Sequence, residues 1–138
     1  MSVLNNDTIQ EALLDYYQSK VSVTGFLDSI EEIKELQWQG KDFNYPGVRI
    51  GNLNQVPVGD NCGSTLTFDM ISFSNEESSF QCNAIGYNIA NESDGISFTQ
   101  TGISFSGMRV VSYPSSFRSM RTWQNTVKVR VARVSVAT

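Results

Sequence analysis

Two pairs of adjacent carboxylates are the residues of this chain that come nearest to catalytic chemistry. Glu31-Glu32 and Glu76-Glu77 are acids of the kind that hydrolases and hard-cation sites use. Neighbouring residues of a helix point about 100° apart, so neither pair is a ready-made catalytic dyad. The sequence also has no histidine, the commonest general base and metal ligand. We therefore predict that the protein is not an enzyme and has no catalytic residue, no metal site and no cofactor.

A basic and aromatic segment is the other candidate for function. Tyr113, Phe117 and Trp123 lie close to Arg118 and Arg121, a mixture typical of protein interfaces. The same mixture occurs in proteins that bind single-stranded nucleic acid, and a plain solvated hairpin with one packed aromatic is a third interpretation. The isoelectric point near 4.7 argues against nucleic acid. We predict that these five residues are interface residues.

The charges are divided unevenly along the chain. Residues 1–108 contain fourteen acidic and four basic residues, a formal charge of −10, and residues 109–138 contain six basic and no acidic residues, a formal charge of +6. The basic part can pair with acids of the same chain, or with the acidic part of a neighbouring subunit in a head-to-tail ring. The sequence leaves both interpretations open.

Length and composition indicate one domain spanning residues 1–138. A hydrophobic content of 40% with only 17% charged residues is typical of a folded, β-rich domain. No apolar run approaches the roughly 20 residues of a transmembrane helix, and the N-terminus shows no signal peptide. We expect no membrane partner. We also expect Cys62 and Cys82 to be free thiols rather than a disulfide.

Helical and extended patterns alternate in the first half. An apolar stripe predicts a helix from Asn6 or Asp7 to Ser19 or Lys20, opened by a capping box at Asp7 to Gln10. The predicted buried face of this helix is Ile9, Ala12, Leu13, Tyr16 and Tyr17. The next predicted element is an extended segment at Val21–Gly25, followed by a helical turn with a strand at Asp28–Trp38. A loop at Gln39–Pro46 then leads to a second strand at Val48–Leu53. The interior face of the second strand is predicted to be Val48, Ile50 and Asn52.

The second half is predicted to hold one helix and four strands. A clear alternation marks a strand through Leu66, Phe68 and Met70, and Ser74-Asn75-Glu76-Glu77 resembles the capping box of a helix at 75–91. The predicted buried side of that helix is Phe80, Ala84, Ile85, Tyr87 and Ile89, with Cys82 at the flank. Strands are expected at 96–99, 103–113 and 123–136, with Gly102 and Gly107 as bends or bulges and a bulge near Ala132-Arg133. The fold class is therefore α+β: one mixed, mostly antiparallel sheet with two helices packed on one face.

The order of these elements, together with three sequence segments, resembles a known family. The segments are Ile9-Gln10-Glu11-Ala12-Leu13 in the first helix, Asn44-Tyr45-Pro46-Gly47-Val48-Arg49-Ile50-Gly51 at a strand entry, and Leu66–Ser74 before the second helix. They are similar to the tail terminator (tail completion) proteins of long-tailed bacteriophages, which also end in a long strand. The chain departs from that family in its many Ser and Asn residues and in an insert-like stretch at 25–35.

The resemblance implies a structural virion protein that assembles in the host cytoplasm. It implies a homo-oligomer, a hexameric ring that caps the tail tube and joins it to the head connector or neck protein. DNA would pass through the lumen without specific binding. A neck or head-closure connector protein is an alternative of similar size, and a small-ligand binding α+β module is a further one.

Overall fold

The elements of the fold are known over residues 3–36, 44–59 and 63–137, the ranges that the computed structural model describes. Its helices are α1 (Asn6–Gln18), α2 (Val21–Thr24) and α3 (Phe80–Ser93), with a single 3-10 turn at Ile30–Glu32. Its strands are β1 (Ile33–Glu35), β2 (Gly47–Pro57), β3 (Ser64–Ser74), β4 (Ile96–Gln100), β5 (Ile103–Ser112), β6 (Phe117–Ser119) and β7 (Thr122–Val136). Trp38, most of the predicted loop and Cys62 lie outside the described residues.

The strands form one mixed sheet in the order β1-β2-β3-β7-β5-β4, with β6 paired to β7. β1 and β2 are parallel, and every other pair among the described strands is antiparallel. The predicted fold class, α+β with a mostly antiparallel mixed sheet and helices packed on it, is confirmed. The predicted helical turn followed by a strand is also confirmed, because the 3-10 turn leads directly into β1.

Helix α1 lies across the opening of a sheet that is curled into a half-barrel. It contacts β1 and β2 at one end of the strand order and β4 at the other end. A single helix can touch both ends because the sheet curls and brings them towards each other. The Gln18 side chain donates to the Ile33 carbonyl of β1, with 3.0 Å between Nε2 and O. On the other side, the Tyr16 ring stacks on Phe98 of β4 at a centroid distance of 3.9 Å.

The core lies between the concave side of the sheet and the helices. Alternate residues of β3 and β7 point into it, and these residues, with three from the helices, are fully or almost fully buried: Leu13, Tyr16, Leu66, Phe68, Met70, Ile85, Val127, Val129 and Val131. Between the pairs Leu66–Val131 and Ser64–Val134, two residues of β7, Ala132 and Arg133, stand opposite one residue of β3, Thr65. This bulge is the one predicted near Ala132-Arg133, and it returns Val134 to the core.

The predicted buried stripe of α1 is confirmed residue by residue, whereas its predicted cap is wrong. Asn5, not Asp7, caps the helix, and its side chain accepts from the Asp7 amide at 2.8 Å. The prediction of an extended segment at Val21–Gly25 is also wrong. These residues form the single helical turn α2, which places Val23 in the core, and this packing outweighs the strand preference of the valines.

Helix α3 begins later than predicted and presents a different face. Ser74 accepts from the Glu76 amide and Ser78 from the Phe80 amide, and such local serine contacts compete with helix formation. The helix therefore starts at Phe80, which is 79% exposed, and Tyr87, one face away from the core, is 57% exposed. The buried face consists of Cys82, Ile85, Gly86, Ile89 and Ser93, and Ala84 is only half-buried.

Asn52 does not belong to the interior face of β2. The register of β2 against β3 shifts between Gly51 and Asn54, and Asn52 has a φ of 57°. The shift turns the Asn52 side chain outward, where its amide donates to the Asp69 carboxylate at 2.7 Å. Val48 and Ile50 are buried as predicted.

We predict that Phe68→Ala lowers the free energy of unfolding by about 3–5 kcal/mol, because it removes a fully buried aromatic ring and leaves a cavity. Urea unfolding followed by circular dichroism is the measurement. Thr67→Ala, on the opposite face of the same strand, is the matched control and should cost less than about 1 kcal/mol. A loss below about 1 kcal/mol for Phe68→Ala would contradict the assigned face.

Candidate assembly interface

The predicted contact segment, residues 113–123, runs from the end of β5 through β6 into the start of β7 and is called the arm. β5 and β6 both pair with β7 and run in the same direction, so β6 continues the line of β5 after a gap. The register of β5 shifts between Val110 and Ser112, immediately before the chain leaves the sheet. Residues 113–116 belong to no strand, and pairing with β7 resumes at Phe117.

Hydrogen bonds to a buried asparagine fix the base of the arm. The Asn125 amide, 1% exposed, donates to the Pro114 carbonyl and to the Ser116 hydroxyl, each at 3.1 Å. The Ser116 amide donates to the Asn83 side chain of α3 at 3.2 Å. The arm is thus joined to both α3 and β7, rather than held by the packing of Trp123 alone.

Gly86 allows α3 to approach this asparagine. A Cβ atom at residue 86 would overlap with the Asn125 side-chain amide. The absence of a side chain at Gly86 therefore sets how closely the helix and the arm base can pack.

The tip of the arm is a two-residue hairpin turn between β6 and β7. Ser119 pairs with Thr122, and the two residues between them, Met120 and Arg121, have φ values of 49° and 74°. Positive φ at both central positions is the type I′ arrangement, which usually contains Asn or Gly because larger residues are strained there. Met120 is 93% exposed. The turn therefore displays two long side chains at a strained position.

The five predicted interface residues lie at the arm but do not share one face. Phe117 is 52% exposed and pairs across the strands with Gln124, on the convex side of the sheet. Arg118 pairs with Trp123 on the other side, with its guanidinium carbon 5.6 Å from the centre of the half-buried indole ring. Tyr113 is 45% exposed at the base, and Arg121 is exposed at the tip.

The sequence prediction missed other exposed apolar residues near the arm. Tyr87 of α3 lies beside Tyr113, whose pKa is raised mainly by burial and to a smaller extent by Tyr87. Phe80 is exposed one turn before Asn83, the residue that holds the arm. Phe80 and Tyr87 were predicted to be core residues. Interfaces are enriched in methionine as well as in aromatic residues, so Met120 could have been predicted as an interface residue from its type and its position in the segment.

A second feature is a pair of like charges on the open, convex side of the sheet. Arg109 of β5 and Arg130 of β7 are directly opposite each other, and both are exposed. Within the described ranges, neither guanidinium forms a hydrogen bond or an ion pair. Lys128 differs, because its ammonium lies 2.8 Å from the Asp69 carboxylate of the same chain. Arg109 and Arg130 are called the cationic pair.

The exposed side of α1 carries the opposite charge. Asp7, Glu11 and Asp15 follow one another at four-residue spacing and therefore form a stripe, called the acidic stripe. Asp7 and Glu11 line a shallow depression together with Leu14 and Glu35. Asp15 accepts from the Thr101 hydroxyl at 3.1 Å. The same-chain interpretation of the charge division thus holds for Lys128 but not for the cationic pair.

The carboxylate pairs of the sequence do not form a reaction centre. Glu31 is exposed, whereas Glu32 is buried, and Arg49 donates to the Glu32 carbonyl at 2.9 Å. Glu76 and Glu77 are both exposed in the bend before α3. Across residues 3–36, 44–59 and 63–137, no group of three or more His, Cys, Asp or Glu residues is placed to hold a metal ion.

The described cysteine is a buried thiol, and the cleft beside α1 has a polar lining. Cys82 is a buried free thiol that donates to the Ser72 carbonyl at 3.4 Å, and burial raises its pKa, so the unreactive thiol form is favoured. A cleft of about 250 Å³ lies between the start of α1 and the β2 bulge. Its lining is mostly polar and includes Asn6, Gln10 and Asn52, unlike the apolar lining of typical ligand pockets.

Comparison with known proteins finds a structure of similar fold but no family of similar sequence. No family model matches the sequence, and no curated protein matches it. A solved structure, the virion of a native gene transfer agent particle, contains a chain of similar fold. The TM-score is 0.75 and the identity 11%, and the match covers 94% of this chain and 96% of that chain. Among the described helices, none is long and apolar enough to cross a bilayer.

We predict that Gly86→Ala destabilises the protein by about 1–3 kcal/mol, because the added methyl group displaces Asn125. Asn125→Ala should cost a similar amount, since it removes the two hydrogen bonds from this buried amide to Pro114 and Ser116. The double variant should lose less than the sum of the two, by about 0.5–3 kcal/mol, which urea unfolding measures as a double-mutant cycle. Additive losses would show that the two residues are not coupled.

We also predict that replacing Phe117, Arg118 and Arg121 together by Ser barely changes the thermal unfolding of the isolated domain. Among the described residues, these substitutions remove the interaction of the Arg118 guanidinium with the Trp123 ring, which contributes about 0.5–1 kcal/mol at an exposed site. Phe105→Ser, in the core, is the control and should lower the unfolding free energy by more than about 3 kcal/mol. If the triple variant lost as much unfolding free energy as Phe105→Ser, these arm residues would be packed as core residues and the prediction would be wrong.

Proposed function

We propose that this protein is a structural component of a tailed-phage-type virion, and that it acts as a tail terminator. Copies of the chain form a ring, most simply of six, that caps the tail tube and joins it to the head connector or neck protein. The observation that carries this proposal is the fold likeness to a chain of a gene transfer agent virion over nearly the whole length of both chains.

The surface of the described domain supports an assembly role rather than a chemical one. The arm presents Tyr113, Phe117 and Arg121 to solvent on a base fixed by Asn125 and Ser116. A contact residue held on a fixed base loses less conformational entropy on binding than one on a free loop. We infer that the arm contacts a neighbouring subunit or the adjoining ring of the virion.

The proposed ring places DNA in its lumen without specific recognition. The chain has a formal charge of −4, and specific or tight binding to DNA requires clustered cations that neutralise phosphates. A predominantly acidic ring would repel the DNA backbone and let it slide through. The protein would then act in the virion, at the tail or neck, after assembly in the host cytoplasm.

A neck or head-closure connector is the second candidate function. The similar structure is that of a whole virion, and a neck protein of such a particle would satisfy the same likeness. The two functions differ in the partner. A terminator binds the end of a tail tube, whereas a head-closure protein binds the head connector without the tube.

We predict that the purified protein forms a closed ring, with a mass close to six times the 15.3 kDa of one chain. Light scattering and negative-stain electron microscopy measure the mass and the shape. The ring should weaken as salt increases, because exposed charge pairs are screened over about 8–10 Å at physiological ionic strength.

Adding purified tail tubes separates the two candidate functions. Binding of the ring to tube ends supports the terminator, and binding to isolated head connectors alone supports the neck protein. The arm variant with Phe117, Arg118 and Arg121 replaced by Ser should fail to join either partner. A monomer at high protein concentration and low salt that neither partner changes would contradict the ring.

A further inference from the structure

The cationic pair is unfavourable within a single subunit. Arg109 and Arg130 oppose each other on neighbouring antiparallel strands, where side chains come within about 5 Å, and like charges at such positions destabilise a sheet. Neither has an acidic partner within the described part of the chain. The surrounding positions do not cover them, since Ser106, Ala132 and Arg133 are also exposed. This part of the sheet therefore remains open.

The acidic stripe is unfavourable in the same way. Asp7 and Glu11 are four residues apart on the exposed side of α1, and like charges at this spacing destabilise a helix. Neither carboxylate has a hydrogen-bond or ion-pair partner within the described ranges. The helix dipole favours an acid in the first turn, where Asp7 stands, and it offsets only part of this repulsion because Glu11 lies beyond that turn.

The two charged surfaces lie on opposite sides of the subunit. Arg130 belongs to β7, in the middle of the sheet, and points to its convex side. The acidic stripe belongs to α1, which spans the opening between β1 and β4 on the concave side. The charges of one copy are therefore separated by the core, while two copies placed head to tail bring them together.

We propose that the cationic pair of one copy binds the acidic stripe of a second copy, with Arg109 and Arg130 facing Asp7 and Glu11. Each surface carries like charges that repel one another within the subunit, and the contact offsets this repulsion by placing opposite charges of the second copy beside them. It is head-to-tail, so a series of such contacts closes a ring when the rotation between copies allows it. The proposal rests on the ring of the proposed function and assigns the surfaces that form it.

A second copy fits the cationic pair better than a nucleic acid does. Two adjacent arginines neutralise few phosphates, and the whole chain carries a net charge of −4. Single strands stack on exposed aromatic rings, and among the described residues no exposed aromatic side chain occupies the strand positions around Arg109 and Arg130.

Charge reversal tests the contact with three variants of the full chain. The first is Arg109→Glu with Arg130→Glu, the second is Asp7→Lys with Glu11→Lys, and the third combines all four changes. Each two-residue variant should raise the protein concentration needed for assembly by at least about a hundredfold, because like charges then face each other. The four-residue variant should restore assembly. Light scattering measures the mass, and circular dichroism confirms that each variant is folded.

Mixing the two-residue variants gives a second test. Each variant alone has only like charges at the contact, but in a mixture each offers the other an opposite charge on both sides. Equal amounts should therefore form rings in which the two variants alternate, and native mass spectrometry should find both chains in equal number. Asp28→Lys with Glu31→Lys, which changes the net charge by the same amount as the second variant, is the control and should assemble normally.

The possible results separate this inference from the proposed function. If both two-residue variants form rings as readily as the wild type does, the proposed contact is wrong and the ring itself remains supported. A loss of assembly that neither the four-residue variant nor mixing restores would also overturn it. A wild-type chain that never self-associates would overturn both proposals. If the arginine reversal weakened binding of a DNA duplex without changing the mass, the cationic pair would be a nucleic-acid contact instead.

Discussion

The fold depends on β7, because this strand is the hydrogen-bonding partner of three others. β3 pairs with one side of it, and β5 and β6 share the other side. A strand of this length must keep its apolar residues on one face, and a shift by one residue would turn them all outward. The bulge opposite Ser64–Leu66 absorbs such a shift, so that Val131 and Val134 both reach the core. Helix α3 packs on that buried face, so its position follows from it.

The same strand divides the molecule into a closed side and an open side. The concave side is covered by α1 and α3, and the phenol groups of α1 reach α3, where Tyr16 donates to the Glu92 carbonyl and Tyr17 shares a hydrogen bond with Ser93, both at 2.6 Å. Burial raises the pKa of Tyr16 to about 12 and that of Tyr17 further, so both phenols stay neutral and their hydrogen bonds persist at ordinary pH. Among the described residues, the convex side has no such cover at β5 and β7, and Arg109 and Arg130 lie there.

Periodicity predicted those parts of the fold in which one face is buried along a whole element. The stripe of α1 and the alternation in β3 and β7 are of this kind, and a bulge was inferred from the valine spacing alone. The start of α3 was not predictable in this way, because serine side chains hold the backbone of residues 74–80 in turns. Phe80 and Tyr87 were placed in the core since hydrophobicity does not distinguish a buried aromatic from one on a contact surface. Pairing between distant strands, which brings Arg109 beside Arg130, cannot be obtained from local pattern.

The position of α1 affects how such a subunit can associate. β1 and β4 are the edge strands of the sheet, and an uncovered edge readily accepts a strand from another chain. α1 occupies the space beside both edges, with Gln18 bonded to the Ile33 carbonyl on one side and Asp15 to Thr101 on the other. Growth of the sheet from copy to copy is thereby hindered at β1 and β4. Contacts through side-chain surfaces stay available, and an assembly built on such contacts would have a defined angle between copies, whereas unlimited strand addition produces fibres.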